Sequence, residues 1–186
     1  LEPQGEPLAW LKSITSQSKL EAIFKCSKAP AAIPVGDAEG YGSVLAGPSI
    51  FNNVQSTVGT LLWGGKIFSR EGEEVRLTNK MRDTGTHRYN AVVRKGTSHL
   101  DGGAAVVLDY RVDNSLQTYG PPQSFAQIVV DNIAHGIRDE IREVQQNGGG
   151  TGVYLGRANL YKRYLISFDR SEQISEAVFN SPDAYQ

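Results

Sequence analysis

The sequence predicts a mainly β protein: an antiparallel sheet, closed into a barrel of eight strands, with an N-terminal helical segment and one inserted helix. Three observations predict it. Glycines punctuate the chain from Gly36 to Gly103, and the runs between them are rich in Val, Leu, Tyr, Phe and Thr. Turn signals recur at a spacing of about 10–14 residues, the rhythm of a meander. A sheet of this size exposes two edges unless it curls and closes. At 186 residues the chain has the length of one domain, enough to bury a core without disulfide or metal staples.

The elements follow in order. Pro7 to Ile14 reads as a short helix with Pro7 at its start, where a missing N–H costs nothing. Ser16 or Ser18 caps a second helix carrying Leu20, Ile23 and Phe24 on one face, and Pro30 ends it. Strands are expected near Tyr41–Leu45, Leu61–Phe68, Glu74–Asn79, Arg88–Arg94 and Ala104–Tyr110, with hairpin turns at Arg70–Glu73 and Asp101–Gly103. Asn114–Pro122 is a polar loop. Phe125, Ile128, Val129 and Ile133 then share one face of a helix over Ser124–His135. Strands resume at Ile137–Val144, Gly152–Tyr161 and Arg163–Phe168, the first two joined by a flexible turn at Gly148–Gly150. The domain reading is a helical arm over 1–30, a barrel over 31–168 and a polar tail over 169–186.

Composition narrows the function classes. Hydrophobic residues at 39% and charged residues at 21% exclude wholesale disorder. A net charge of −1 gives no reason to expect nucleic acid, and the basic residues from Arg76 to Lys95 are offset by Glu71, Glu73, Glu74 and Asp83. The lone Cys26 forms no internal disulfide. No apolar run approaches the roughly 20 residues of a membrane-spanning helix. His87, His99 and His135 lack ligand spacing, so no metal is expected. Gly64-Gly-Lys66 lacks the spacing of a phosphate loop, Gly148–Gly152 lacks a dinucleotide fingerprint, and no cofactor is expected. The only methionine is Met81. A chain beginning at Leu1 is compatible with a matured protein of an organelle or a secretory compartment.

The most informative segment is Ile137-Arg-Asp-Glu-Ile-Arg-Glu-Val144. As a strand it places Ile137, Asp139, Ile141 and Glu143 on one face and Arg138, Glu140, Arg142 and Val144 on the other. On a barrel wall one row points inward, and inward charges must be paired. Such a row serves either as an interior salt-bridge ladder or as a grip for a ligand's polar end; read instead as a surface helix, the segment groups Ile137, Ile141 and Val144 and its charges are merely solvated. Arg138 and Arg142 suit an anionic head group, since the guanidinium fork binds oxygens at two points. Asp109 and Tyr110 end an apolar strand, and Tyr154 and Arg157 lie beyond the Gly-rich turn. The candidate ligand-binding set is therefore Arg138, Glu140, Arg142, Tyr154, Arg157, Asp109, Tyr110 and Trp63.

Four motifs in order carry a family likeness: Trp63-Gly-Gly-Lys-Ile-Phe68, Leu100-Asp-Gly102 leading into Val107-Leu-Asp-Tyr110, Arg138–Val144, and Val153-Tyr-Leu-Gly156. Over roughly residues 33–165 the chain resembles uncharacterised proteins similar to lipocalin and fatty-acid-binding barrels, the calycin architecture. The Gly-x-Trp that opens a lipocalin barrel is missing, and Trp63 lies on a later strand. The resemblance implies the barrel and carries over no ligand and no catalytic residue. The leading expectation is a non-enzymatic barrel that binds a small lipophilic or amphipathic molecule. A second is an accessory subunit of a larger, membrane-associated assembly, held to protein partners by its N-terminal arm and C-terminal tail. A third is a cofactor-free isomerase or cyclase using Asp109, Glu140 or Tyr154 as acid or base.

Overall fold

The computed structural model describes residues 1–41, 63–82, 87–110 and 137–160. Two short helices precede seven strands. Helix α1 spans Pro7–Lys12 and α2 spans Gln17–Cys26. The strands are β1 (Gly36–Glu39), β2 (Trp63–Glu71), β3 (Glu74–Met81), β4 (His87–Thr97), β5 (Ala104–Asp109), β6 (Ile137–Gln146) and β7 (Gly149–Leu160). Every neighbouring pair is antiparallel, and the sheet order is the chain order. No helix among the described residues is long and apolar enough to cross a membrane.

Helix ends follow their caps. The Glu6 carboxylate accepts from the backbone N–H groups of Leu8 and Ala9 at 3.0 and 2.6 Å, with Pro7 opening α1. Ser16 caps α2 by accepting from Lys19 N–H, and Ser27 closes it by donating to the Ile23 carbonyl at 2.8 Å. Beyond α2 the chain is stitched to the sheet: Lys28 and Glu143 exchange two backbone hydrogen bonds of 3.1 and 2.7 Å.

Period-two patterning fixes the sheet's two faces. Val75, Leu77 and Asn79 are buried on β3, and Tyr89, Ala91 and Val93 on β4. With Phe68, Val106, Leu108, Tyr110 and Ile141 the apolar members of these rows form one core on one side of the sheet. On the other side, Leu11, Ile14 and Ile23 of the helical segment pack on Val144, flanked by Trp10, Leu20, Val153 and Leu155. Residues 105–108 of β5 are buried on both faces, which is why they read as an unbroken apolar run.

The sheet is strongly curled. Lys66 on β2 and Asp139 on β6 are four strands apart, about 19 Å in a flat sheet. Their side chains nonetheless meet at 2.9 Å. The first core therefore lies on the concave side of a half-barrel, and the helices cover part of its convex side. The expected closed barrel of eight strands differs from what the described residues form: seven strands in linear order, with no pairing between β1 and β7 among them. The helix expected over 124–135 and the strand expected over 163–168 lie outside the described residues, as does the expected strand over 41–45 except Tyr41, which is in no strand.

Two other details depart from the sequence reading. Strand β1, Gly-Asp-Ala-Glu, has no apolar run and was not expected. Pairing with β2 and the Lys80–Asp37 ion pair hold it in place, and Ala38 packs on the concave core. The β6–β7 turn is Asn147-Gly148 rather than Gly148–Gly150: Gln146 pairs with Gly149, and the two turn residues have φ of 52° and 77°. Paired positive φ is the geometry that a two-residue Asn-Gly hairpin turn supplies.

Gly65 is the position where a side chain is least tolerable. Its φ is +142°, and a Cβ there would lie 2.1 Å from the Ala38 carbonyl oxygen and 3.0 Å from the Gly40 nitrogen. Gly102 has φ +69° but open space around it. Gly65→Ala is expected to cost ~2–3 kcal/mol by combining backbone strain with displacement of β1, against ~1 kcal/mol for Gly102→Ala. Urea unfolding midpoints of the two variants check this; equal losses would show that β1 yields freely.

Candidate functional site

Strand β6 carries charges on both faces and uses them differently. On the convex face Arg138, Glu140, Arg142 and Val144 point toward the helices and the β4–β5 hairpin. Glu140 is fully buried and accepts from Arg138 Nη1 at 2.5 Å, Ser98 Oγ at 2.6 Å and the His99 backbone N–H at 2.8 Å. Arg138 also donates to the Thr97 carbonyl at 2.7 Å. Arg142 grips Asp101 at two points, 2.8 and 2.6 Å, and donates to the carbonyls of Ala104 and Phe24. Its guanidinium carbon sits 4.7 Å from the centre of the Phe24 ring. The Arg142 hydrogen bonds hold the Asp101 carboxyl below its ordinary pKa.

This arrangement satisfies buried charges with fixed partners, as the salt-bridge ladder reading requires. Asp109 lies on the same convex face and pairs with Arg94 at 3.1 Å. Arg157 donates to Asn159 at 2.7 Å, and Asn159 donates to the Arg138 carbonyl. Five of the eight candidate residues, Arg138, Glu140, Arg142, Arg157 and Asp109, are thus gathered behind the sheet. Their row runs opposite to the inward one because Ile137 and Ile141 belong to the concave core, which forces the alternate residues outward.

The other three face the concave side. Tyr154, 36% exposed, stands on β7 opposite Glu143, and burial with the Glu143 charge raises its pKa. Asp109 and Glu140, two of the three residues named as alternative acids or bases, are therefore on the opposite side of the sheet from the third, Tyr154. Tyr110 and Trp63 meet in a polar cluster with three residues that were not selected: Lys66, Asn79 and Asp139. Lys66 Nζ donates to Tyr110 Oη at 2.6 Å, Asp139 Oδ2 at 2.9 Å and Asn79 Oδ1 at 3.0 Å. Trp63 Nε1 donates to Asn79 Oδ1 at 2.9 Å, and Asn79 Nδ2 donates to the Tyr89 carbonyl at 2.9 Å. The ammonium lies 5.2 Å from the Trp63 ring centre and 5.3 Å from that of Tyr110, within cation–π range.

Electrostatics keep this cluster in one protonation state at neutral pH. Burial works against the Lys66 charge, but Asp139 and Tyr110 outweigh it and push its pKa up. Burial first, and the Asp139 charge second, push the Tyr110 hydroxyl up to about 12. Lys66 is an ammonium, and Tyr110 is a neutral phenol.

Two backbone irregularities converge on the same place. The β2–β3 register shifts between Trp63 and Gly65, directly before Lys66. The β3–β4 register shifts between Leu77 and Asn79, where Tyr89 takes φ +59°. A left-handed, bulky residue is costly, and bulges tend to re-aim side chains beside functional sites. Here the Asn79 amide anchors the Tyr89 carbonyl while its oxygen serves Trp63 and Lys66. Gly40 is part of the same construction: a Cβ there would lie 2.3 Å from the Trp63 indole, so only glycine lets that ring lie against β1's end.

A signal for the missed residues existed. On β6 the row with two isoleucines is the one that a core would claim, and Asp139 is the single charge between them. A charge placed between core positions needs a partner. Lys66, between Gly65 and Ile67 in a strand, is the cation that provides it.

The pair is testable by a mutant cycle. Lys66→Met leaves Asp139 unpaired at a largely buried site and is expected to cost ~3–5 kcal/mol, most of it regained in Lys66→Met/Asp139→Leu. Urea unfolding of both variants checks it; an unrecovered loss would mean that the two charges act separately. Alkaline titration offers a second check. Tyrosine in the unfolded chain ionises near ~10, whereas Tyr110 keeps its proton to about 12. Its contribution is therefore intact below the lower value and lost as pH rises through that window. Tyr110→Phe is expected to flatten the fall in unfolding midpoint there, and an unchanged slope would place the alkaline loss elsewhere.

No protein-family model, no curated protein and no solved structure matches this chain, so its site is read from geometry.

Proposed function

We propose that this chain is a non-enzymatic binding protein, in which the concave side of the curled sheet takes a small lipophilic molecule and the Lys66–Asp139–Tyr110–Asn79–Trp63 cluster meets its polar end. One observation carries the reading: a hydrogen-bonded ion pair and an indole N–H set among apolar side chains on the concave side. Binding sites for small molecules combine an apolar lining with a few placed polar groups in this way. Phe68, Leu77, Leu108 and Ile141 are buried apolar side chains of the core that Tyr110 joins on that side. On β7 the concave positions beside Ile141 and Asp139 are Gly156 and Ala158, which take up little of the space in front of them.

The proposal extends the observed curl to a closed calycin-like barrel of eight strands, in keeping with the resemblance carried by the Trp63–Phe68 and Arg138–Val144 motifs. It moves the ligand grip from Arg138 and Arg142 to Lys66 and its partners. The convex arginines donate to backbone carbonyls and carboxylates of α2 and of the β4–β5 hairpin and its neighbours.

Native mass spectrometry of the protein equilibrated with a lipid extract tests the function. The expected result is an excess mass on the order of a few hundred daltons, the size of a pocket-bound ligand, that disappears on denaturation. It should be reduced in Trp63→Leu, which removes the indole ring beside the Lys66 ammonium. A native mass equal to that of the bare chain after exposure to lipids would overturn the reading.

A further inference from the structure

The hydrogen-bond inventory of the concave cluster discriminates between polar head groups. An ammonium has three N–H donors, and all three of Lys66 are directed at protein oxygens: Tyr110, Asp139 and Asn79. The Trp63 N–H is likewise committed to Asn79. The phenol of Tyr110 lies 3.2 Å from Asp139 Oδ2. Both of these contacts to Asp139 fall on the same oxygen. Its other oxygen, Oδ1, has no hydrogen-bond donor among the described residues, while the Asp139 side chain is 14% exposed and that of Lys66 15%. The cluster thus presents, on a side chain 14% exposed, an acceptor with no donor among the described residues, and keeps its donors to itself.

Its charge balance points the same way. One ammonium and one carboxylate, 2.9 Å apart, leave no net charge for an ionic head group to neutralise. An incoming carboxylate would meet Asp139 and find every Lys66 proton taken. An incoming ammonium would reach Asp139 only beside Lys66. A buried ion left without its own counter-charge is strongly disfavoured.

Resting on the binding reading above, we infer that the molecule taken by this site ends in a neutral hydrogen-bond donor, an aliphatic alcohol rather than a fatty carboxylate or amine, with its hydroxyl donating to Asp139 Oδ1. The rings of Trp63 and Tyr110 stand beside the Lys66 ammonium that pairs with Asp139. The selectivity is a property of the ion pair. Without the Asp139 charge, Lys66 becomes a free cation with an open donor, and the same wall then favours a carboxylate.

Displacement of the neutral fluorescent probe N-phenylnaphthylamine by decanol, decanoate and decylamine at pH near neutrality tests this on the intact chain. Decanol is expected to displace the probe at a concentration about tenfold lower than either ionic analogue, equivalent to ~1.4 kcal/mol. In Asp139→Ala, which removes the charge and the oxygens that accept from Lys66, the order of decanol and decanoate is expected to reverse. The wild-type ranking is informative even if that variant fails to fold. Decanoate or decylamine binding as tightly as decanol in the wild type would overturn the head-group inference and leave the binding reading standing. Failure of the probe and all three compounds to bind would overturn both.

Discussion

The ion pair between Lys66 and Asp139 joins β2 to β6 across the concave side, and the geometry of the whole sheet is tied to it. Strands four places apart can share a 2.9 Å contact only if the sheet between them bends. Bending brings the inward rows of β3, β4 and β5 together, so that Leu77, Val93, Val106 and Leu108 become one core. Taking two charges out of water is costly, and such pairs are retained more for geometry than for net stability. Three hydrogen bonds to the ammonium and two aromatic rings beside it offset that cost. A shift of β6 by one residue would exchange Asp139 for Arg138 or Glu140 on the inner side, and the pair would be lost.

Strand β6 holds the structure from both sides. Its inner row contributes Asp139 to the concave cluster, flanked by Ile137 and Ile141. Its outer row, Arg138, Glu140 and Arg142, clamps α2 and the β4–β5 hairpin. Arginine suits that work because a planar fork can serve a carboxylate and several backbone carbonyls together. Arg142 does so with Asp101, Ala104 and Phe24. The carbonyl of Phe24 lies in the last turn of a helix, where it also accepts from the Ser27 N–H at 3.2 Å and a cation is favourable. The same strand therefore anchors the helical layer and supplies the carboxylate of the cluster, which couples the integrity of one face to the geometry of the other.

The concave cluster is built at the expense of regular structure. Gly65 and Tyr89 both occupy positive φ, and each lies at a register shift next to a member of the cluster. The bulge before Lys66 changes the course of β2 at the point where Trp63 and Lys66 must share a side. The bulge at Tyr89 is secured by Asn79, whose oxygen accepts from both Trp63 and Lys66. Strain of this kind persists where surrounding contacts over-determine it. Indole, amide, ammonium and phenol here each hold another in place, so their relative positions are mutually fixed.

Local patterns in the sequence determined the mainly β class, the antiparallel meander, most of β2 to β7 and the starts of both helices. These follow from short-range physics: alternation for strands, Pro7 and Ser16 for helix starts, and glycine for turns such as Gly72 and Gly102. Tertiary structure decided the rest. Strand β1 has no apolar signal because pairing with β2, not its own sequence, makes it a strand. The alternation of β6 showed two charged rows but left their direction open, and the choice was made by the cores that claim Ile137 and Ile141 on one side and Val144 on the other. Lys66 and Asp139 are separated by 73 positions in the chain. No spacing rule links such a pair, because their meeting depends on the curvature summed over every strand between them.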